Sequence, residues 1–144
     1  MAELEAKRPF IVATNGCFDI LHVGHIEMLE AAAAFGTHLV IGLNSDDSVR
    51  TLKGKGRPIN PQNHRKRVLE ALRCVSKVHI FNEPDATRFL IASHPDLYIK
   101  AGDYTIDTMN RNERNALDKM GSMIHFTHFV DGISTSNIIR KLNE

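Results

Sequence analysis

The sequence predicts an α/β domain built on a doubly wound, mostly parallel five-stranded sheet with helices on both faces. Short apolar runs alternate along the chain with amphipathic segments of helical period, which is the pattern of successive β-α-β units. The apolar runs are nearly continuous, as expected for strands that are covered on both faces. A length of 144 residues suits one compact domain, so a single domain is predicted over residues 1–144.

The predicted elements follow one another in a regular order. Five strands are predicted over residues 10–14, 38–43, 75–81, 96–102 and 123–129. Helices are predicted over residues 23–34, 62–73, 86–93 and 110–120, with a short helix after Asn44 and a last helix at the chain end. Gly36 and Gly121 are interpreted as C-terminal helix caps. Thr51–Pro61, which contains two glycines and two prolines, is interpreted as a loop.

Composition excludes several classes of protein. Hydrophobic residues make up 42% and charged residues 24% of the chain, which is ordinary for a globular protein. No apolar run approaches the roughly 20 residues that cross a bilayer, so no membrane partner is expected. Met1 to Pro9 lacks an apolar signal core, and the two cysteines do not form a disulfide framework. Both observations predict a cytoplasmic protein.

Charge is unevenly distributed along the chain. The net charge is only +1, which gives no reason to expect a nucleic-acid partner. Residues 50–73, however, contain eight Lys and Arg residues and one Glu, a balance of +7, so the remainder carries −6. This segment is either a solvated basic surface with a flexible loop or a local site for phosphate groups.

Two histidines stand three residues apart in the string TNGCFDILHVGH, at the predicted start of the first helix. This spacing places His22 and His25 on one helical face, and Gly24 between them leaves the backbone open to a ligand. Gly16 would allow the strand to turn sharply beneath the same ligand. Because helix N-termini attract anions, the arrangement favours a phosphate site. A zinc pair would need further ligands, for which only Cys17 is nearby, and packing histidines are the remaining alternative.

The string TNGCFDILHVGH closely resembles the signature of the cytidylyltransferase-like nucleotidyltransferases. That superfamily pairs an HxGH motif with a Ser/Thr-rich motif near the C-terminus, here Gly132-Ile-Ser-Thr-Ser136. The resemblance covers nearly the whole chain and is compatible with the predicted Rossmann-like fold. It implies that a substrate phosphate oxygen attacks the α-phosphorus of a nucleoside triphosphate and that pyrophosphate leaves. Because the attacking oxygen is already anionic, catalysis would depend on positioning and charge neutralisation.

The resemblance also implies roles for individual residues. The catalytic residues would be His22, His25 and Lys53. Nucleotide contacts would come from Thr14, Asn15, Gly16, Phe18, Gly24, Gly102, Asp103, Ser134, Thr135 and Ser136. Substrate contacts would come from Asp19, Asn44, Asp46, Arg65 and Lys100, although Asp19 could equally be structural and Asp46 could cap a helix. Mg²⁺ is expected to bind mainly through the triphosphate, without metal ligands from the protein.

Within this superfamily, three further strings most resemble adenylyltransferases that make ADP-heptose from heptose 1-phosphate. These strings are LNSDDSV, LKGKGRPINP and KAGDYTIDTMNRNE, in which Ala101 departs from the glycine that is common there. Glycerol-3-phosphate cytidylyltransferase is the alternative enzyme, and a non-catalytic nucleotide-binding module is the alternative of a different class. The expected partners are a nucleoside triphosphate, a sugar phosphate and, by analogy alone, a second copy of the chain. A separate sugar kinase is expected upstream in the pathway.

Overall fold

Strands and helices alternate in the computed structural model, which describes residues 8–128 and 135–143. The strands are β1 (Ile11–Gly16), β2 (His38–Asn44), β3 (Lys77–Phe81), β4 (Leu97–Ala101) and β5 (Met123–Thr127). The helices are α1 (Val23–Ala33), α2 (Asp46–Lys53), α3 (Gln62–Glu70), α4 (Thr87–Ser93), α5 (Arg111–Met120) and α6 (Thr135–Leu142). The predicted order of elements is therefore confirmed.

The five strands form one sheet in the order β3-β2-β1-β4-β5. Each pair of neighbouring strands is parallel, so the predicted mostly parallel sheet is parallel throughout. From β1 the chain builds outward through β2 and β3, and then β4 and β5 are added on the other side of β1. The strand order thus reverses between β1 and β4, which is where doubly wound sheets bind their ligands.

The hydrophobic core lies on both faces of this sheet. Successive strand residues point to opposite faces, so Val12 and Ala13 belong to different core clusters. One cluster contains Val12, Leu39, Ile41, Leu29 of α1 and Leu69 of α3. The other contains Ala13, Val40, Tyr98, Phe89 of α4 and Leu117 of α5. The predicted covering of both faces by helices is confirmed.

The two central strands β1 and β4 separate towards their carboxyl ends. Their ladder contains only the pairs Val12–Leu97 and Ala13–Tyr98, whereas β1 and β2 pair over six residues. Beyond Ala13, the Thr14 hydroxyl donates to the Ile99 carbonyl oxygen at 2.9 Å. In doubly wound sheets the ligand-binding crevice lies outside the carboxyl ends of the strands at which the order reverses, which here are the ends of β1 and β4.

The predicted loop over Thr51–Pro61 begins later than expected. Helix α2 follows its N-cap residue Ser45, whose hydroxyl accepts a hydrogen bond from the Ser48 N–H. The helix continues through Lys53. The loop therefore starts at Gly54, which ends the helix with φ +97°. Lys53 therefore lies on the last turn of α2. The three residues before Gly54 remain helical, and a sequence pattern does not fix a helix end to within one or two residues.

Other helix ends also differ from the prediction. Helix α1 is capped by Ala34, and a Cβ on Gly36 would lie 2.5 Å from the Phe10 carbonyl oxygen, so Gly36 permits close backbone packing. Helix α3 ends at Glu70, three residues earlier than predicted. Within this helix Val68 is 50% exposed, because Val68 lies off the face on which Leu69 is buried. Gly121 does cap α5, in the left-handed conformation. No helix in the described part of the chain is long and apolar enough to cross a membrane.

Candidate active site

His22 and His25 cap the start of α1 with their own side chains. His22 is the N-cap residue, and its Nδ1 accepts from the Gly24 N–H at 3.1 Å. The Nδ1 of His25 accepts from the His22 N–H at 3.3 Å. The ring centroids lie 3.9 Å apart. The pair therefore forms a reciprocal capping box in which imidazoles replace the usual hydroxyl and carboxylate.

This capping determines which nitrogen of each histidine carries the proton. Because both Nδ1 atoms accept hydrogen bonds, each neutral ring carries its proton on Nε2. Burial lowers the pKa of His22, and burial together with repulsion from His22 lowers the pKa of His25 to about 4. At neutral pH the pair presents two neutral N–H donors beside a helix N-terminus, a combination suited to phosphate oxygens.

Asp19 fastens the loop after α2 to the turn after β1. Its buried carboxylate accepts from Arg57 Nε at 3.1 Å and from the N–H groups of Ile59 and Asn60, both at 2.8 Å. The Asp19 carbonyl oxygen accepts from Asn60 Nδ2 at 2.7 Å. The preceding residue, Phe18, has φ +46°, which turns the chain at this point. These contacts support the structural alternative for Asp19.

Arg65 is buried and its guanidinium is directed into the protein. Nη1 donates to the carbonyl oxygens of Cys17 and Asn44, Nε donates to that of Asn60, and Nη2 donates to Asp46 Oδ1, all at 2.8 Å. The side chain has no exposed surface. The structure therefore shows Arg65 holding the ends of β1 and β2 against the loop, and its predicted substrate contact stays a prediction.

The basic segment divides into paired and exposed cations. Arg57 and Arg65 are paired with Asp19 and Asp46, whereas Lys53 and Lys55 are exposed. Burial raises the pKa of the Cys17 thiol, and the positive charges of Lys53, Arg65 and Arg57 act against this rise. The charge of Lys53 thus acts on Cys17 in the turn after β1, and its phosphate contact stays a prediction.

Three other predicted residues have internal partners. The Thr14 hydroxyl is fully buried and donates to Ile99, and its predicted nucleotide contact stays a prediction. Asn44 is 5% exposed, and its Nδ2 donates to the Ser48 hydroxyl at 2.9 Å, and its predicted substrate contact likewise stays a prediction. Asp46 keeps 33% of its side chain exposed beside Arg65.

The turn after β1 brings together the glycines and the aromatic residue of the first motif. A Cβ on Gly16 would lie 3.0 Å from the Phe18 ring, so the glycine allows this ring to pack beneath the turn. The Phe18 ring in turn lies 5.3 Å from that of His25, measured between centroids. Gly24 is buried in the first turn of α1. Asn15 is half-buried, and its Oδ1 accepts from the Tyr98 hydroxyl.

The end of β4 supplies a second group of polar side chains. Lys100 Nζ lies 3.4 Å from Glu113 Oε1 and 4.6 Å from the centre of the Tyr104 ring. Gly102 has φ +115°, and its N–H donates to the Thr127 carbonyl oxygen at 2.9 Å. Asp103 is exposed, with Oδ1 3.5 Å from His128 Nδ1.

Glu113 was not predicted from the sequence as part of the site. It is 3% exposed, and its Oε2 accepts from the Ala86 N–H at 2.9 Å. Asn110 caps α5 by accepting from the Glu113 N–H at 3.0 Å. An Asn followed three residues later by Glu is a sequence signal for a helix start, but it does not reveal that the carboxylate is buried.

The predicted C-terminal contacts are only partly described. Ser134 lies outside the described residues, and Thr135 begins α6, although its side chain is likewise outside that description. Ser136 is exposed. Among the described residues, no group of three or more His, Cys, Asp or Glu side chains is placed to hold a metal ion.

Comparison with known proteins identifies the family. The protein-family model described as cytidylyltransferase-like matches residues 13–141 of the chain. The chain belongs to the cytidylyltransferase-like family of nucleotidyltransferases. It is 42% identical over 142 residues to the bifunctional protein HldE of Geobacter sulfurreducens, covering 99% of this chain and 29% of that protein. The HldE of Geotalea uraniireducens is 46% identical over 92% of this chain and 26% of its own length. The chain thus spans little more than a quarter of these family members.

Solved structures place the fold in the same group. A lipopolysaccharide core biosynthesis protein from Thermoplasma volcanium superposes with a TM-score of 0.68 at 27% identity, over 85% of this chain and 98% of that one. TmcAL of Thermotoga maritima, solved with alpha-thio ATP, gives a TM-score of 0.63 over 93% of this chain and 50% of that one. At 14% identity, the second likeness concerns the fold alone.

Proposed function

We propose that the chain transfers AMP from ATP to heptose 1-phosphate, producing ADP-heptose and pyrophosphate. The observation that carries this proposal is the pair of Nε2–H donors of His22 and His25 at the start of α1, beside the crevice between β1 and β4. The two HldE proteins, 42% and 46% identical over nearly the whole chain, support an adenylyltransferase of ADP-heptose synthesis.

The proposed chemistry requires positioning and charge stabilisation. Negative charge builds on the α-phosphate oxygens as the acceptor phosphate attacks, and donors fixed in advance stabilise that charge without reorganising. The two imidazoles suit this task because their orientation is set by the helix cap. Lys53 would stabilise the departing pyrophosphate, since its charge is exposed near the same turn.

Magnesium would enter with the nucleotide. His22 and His25 offer N–H donors and Lys53 offers a cation, and these groups match phosphate oxygens rather than Mg²⁺. Bound to the triphosphate, Mg²⁺ would offset part of its negative charge. The role of the protein's own residues is then to orient the phosphates at the helix N-terminus.

The proposal also covers the residues that contact the sugar phosphate, the source of that substrate, the cellular compartment and the oligomeric state. Lys100 lies in the last part of β4 and Asp103 follows that strand, and both are proposed to contact the sugar phosphate, as is the partly exposed Asp46. A sugar kinase would supply heptose 1-phosphate upstream. We also propose that the protein acts in the cytoplasm, where nucleoside triphosphates are made, and that it forms a homodimer.

A substrate matrix tests the proposal. Purified protein with Mg²⁺ is mixed with ATP or CTP and with heptose 1-phosphate or glycerol 3-phosphate, and pyrophosphate release is measured. Release is expected with ATP and heptose 1-phosphate. Release only with CTP and glycerol 3-phosphate would replace the assigned substrates, and nucleotide binding without release from any pair would indicate a non-catalytic module.

A conservative variant tests the role of the histidines. His25→Asn keeps a side-chain acceptor for the His22 N–H but removes the Nε2–H donor. Loss of one such donor is expected to lower kcat by about 100-fold or more, while the thermal unfolding midpoint changes little. Full turnover of His25→Asn would exclude the assigned role.

A further inference from the structure

One side-chain hydrogen bond spans the crevice between β1 and β4. The backbone ladder of these strands ends at the pair Ala13–Tyr98. Immediately beyond it, the Tyr98 hydroxyl donates to Oδ1 of Asn15. Tyr98 has no exposed surface, whereas Asn15 is half-buried. The bond therefore joins a fixed, internal group to a side chain at the ligand-binding end of the sheet.

The Tyr98 hydroxyl remains a hydrogen-bond donor over the working pH range. Burial, followed by the nearby charges of Glu113 and Tyr104, raises the pKa of Tyr98 well above its usual value. A buried hydroxyl needs a partner, and Asn15 Oδ1 is the partner that the structure provides. The proton of Tyr98 is thus directed at Asn15.

This donation selects one of two amide orientations. An asparagine amide has an oxygen end that accepts and a nitrogen end that donates two hydrogens. With Oδ1 turned to Tyr98, Nδ2 is turned away from it. In the opposite orientation Asn15 would offer an oxygen where it now offers two N–H groups.

We propose that Tyr98 is a positioning residue that orients the Asn15 amide, so that Asn15 donates a hydrogen bond to an oxygen atom of the bound nucleotide. The inference rests on the proposed function, because the nucleotide is the ligand that the crevice is proposed to hold. Nucleotides present oxygen acceptors on phosphates and ribose, and an amide oxygen facing such an acceptor would be repulsive. Tyr98 thus acts on the nucleotide only through Asn15.

A double-mutant cycle tests this coupling. Tyr98→Phe, Asn15→Ala and the combined variant are compared with the wild type for kcat, KM of the nucleotide and thermal unfolding. Tyr98→Phe removes one neutral hydrogen bond, so we expect KM to rise about fivefold with kcat nearly unchanged. In the Asn15→Ala background, Tyr98→Phe should produce no further rise, because no amide remains to be oriented.

A second variant separates the donor role from packing. Asn15→Asp keeps the size of the side chain and an oxygen for the Tyr98 hydroxyl, but it lacks the N–H donors. It should raise the nucleotide KM at least as much as Tyr98→Phe does. Unchanged nucleotide affinity in Asn15→Asp would overturn the proposal, even if Tyr98→Phe fails to fold.

Ser122→Ala is the matched control for lost stability. It removes a half-buried hydroxyl that donates to the Pro95 carbonyl oxygen, at the opposite end of the sheet, where β5 begins. It should lower the unfolding midpoint without changing KM. If the effects of Tyr98→Phe and Asn15→Ala on KM are additive, the coupling is absent and the inference fails while the function stands. A wild type that neither binds nucleotide nor releases pyrophosphate overturns the proposed function, and this inference with it.

Discussion

His22 and His25 are bound to the same helix start through their Nδ1 atoms, and their ring centroids are 3.9 Å apart. Protonating either ring at Nδ1 would remove a cap from α1, and protonating both would place two positive charges side by side. Burial lowers the pKa of both rings, and repulsion from His22 adds to this effect for His25, whose pKa falls to about 4. Both rings are therefore neutral at the pH at which the proposed reaction would run.

The first prediction concerns the pH dependence of stability. The pKa of His25 falls from 6.5 in the unfolded chain to about 4 in the folded protein. Below pH 6.5 the unfolded state binds the proton more readily than the folded state does. The contribution of His25 to the free energy of unfolding is therefore complete above pH 6.5 and is lost as the pH falls towards 4. Urea unfolding of the wild type and His25→Gln between pH 4 and 7.5 measures it, and the free energy of unfolding of the variant should depend less on pH. Equal slopes for the two proteins would contradict the assignment.

The second prediction concerns the clamp made by Asp19. Asp19→Asn replaces a buried acceptor of three hydrogen bonds, one from Arg57, with a neutral amide. Breaking such a buried pair is expected to cost about 3 kcal/mol of unfolding free energy or more. The loop from Gly54 should also become easier to cleave with trypsin at Lys55. Asp47→Asn is the control, because its exposed ion pair with Arg50 is worth only about 0.5 kcal/mol. Equal stability of the two variants would mean that the clamp is unimportant.

The third prediction separates a structural from a substrate role for Lys100. Lys100→Met leaves the carboxylate of Glu113, which is 3% exposed, without its ion-pair partner. We expect a loss of about 3 kcal/mol of unfolding free energy at pH 7. Adding Glu113→Gln should recover much of this loss, since the buried charge is then removed. If Lys100→Met unfolds like the wild type and only the KM of the acceptor rises, Lys100 serves the substrate alone.

The fourth prediction concerns packing between β2 and α4. A Cβ on Gly42 would lie 2.6 Å from the ring of Phe89, so Gly42→Ala forces the ring to move. Overpacking of this kind costs about 1–3 kcal/mol. The cost should shrink in a Phe89→Leu background, where the ring is absent, as measured by urea unfolding. An equal cost in both backgrounds would show that the clash is relieved elsewhere.

Local sequence patterns predicted the elements and the position of the site. The apolar runs indicated the strands, and Gly121 indicated a helix end that the structure confirms. The spacing of His22 and His25 indicated a helix start with both rings on one side, because these features depend on residues within one helical turn. The start of the loop was predicted less accurately. Gly54 and Pro58 suggested irregular structure from Thr51, whereas α2 continues to Lys53.

The sequence by itself determined the alternation of strands and helices, the family motif and the sheet edge at which that motif lies. Only the tertiary structure decided which partners within the protein the polar side chains of the site bind. Arg65 meets carbonyl oxygens 48 and 21 residues away, and Tyr98 meets Asn15 across 83 residues. A guanidinium or an amide can bind phosphate or protein equally well, so its role depends on which acceptors the folded chain brings within 3 Å. Those distances arise from strand order and packing, which no local pattern specifies.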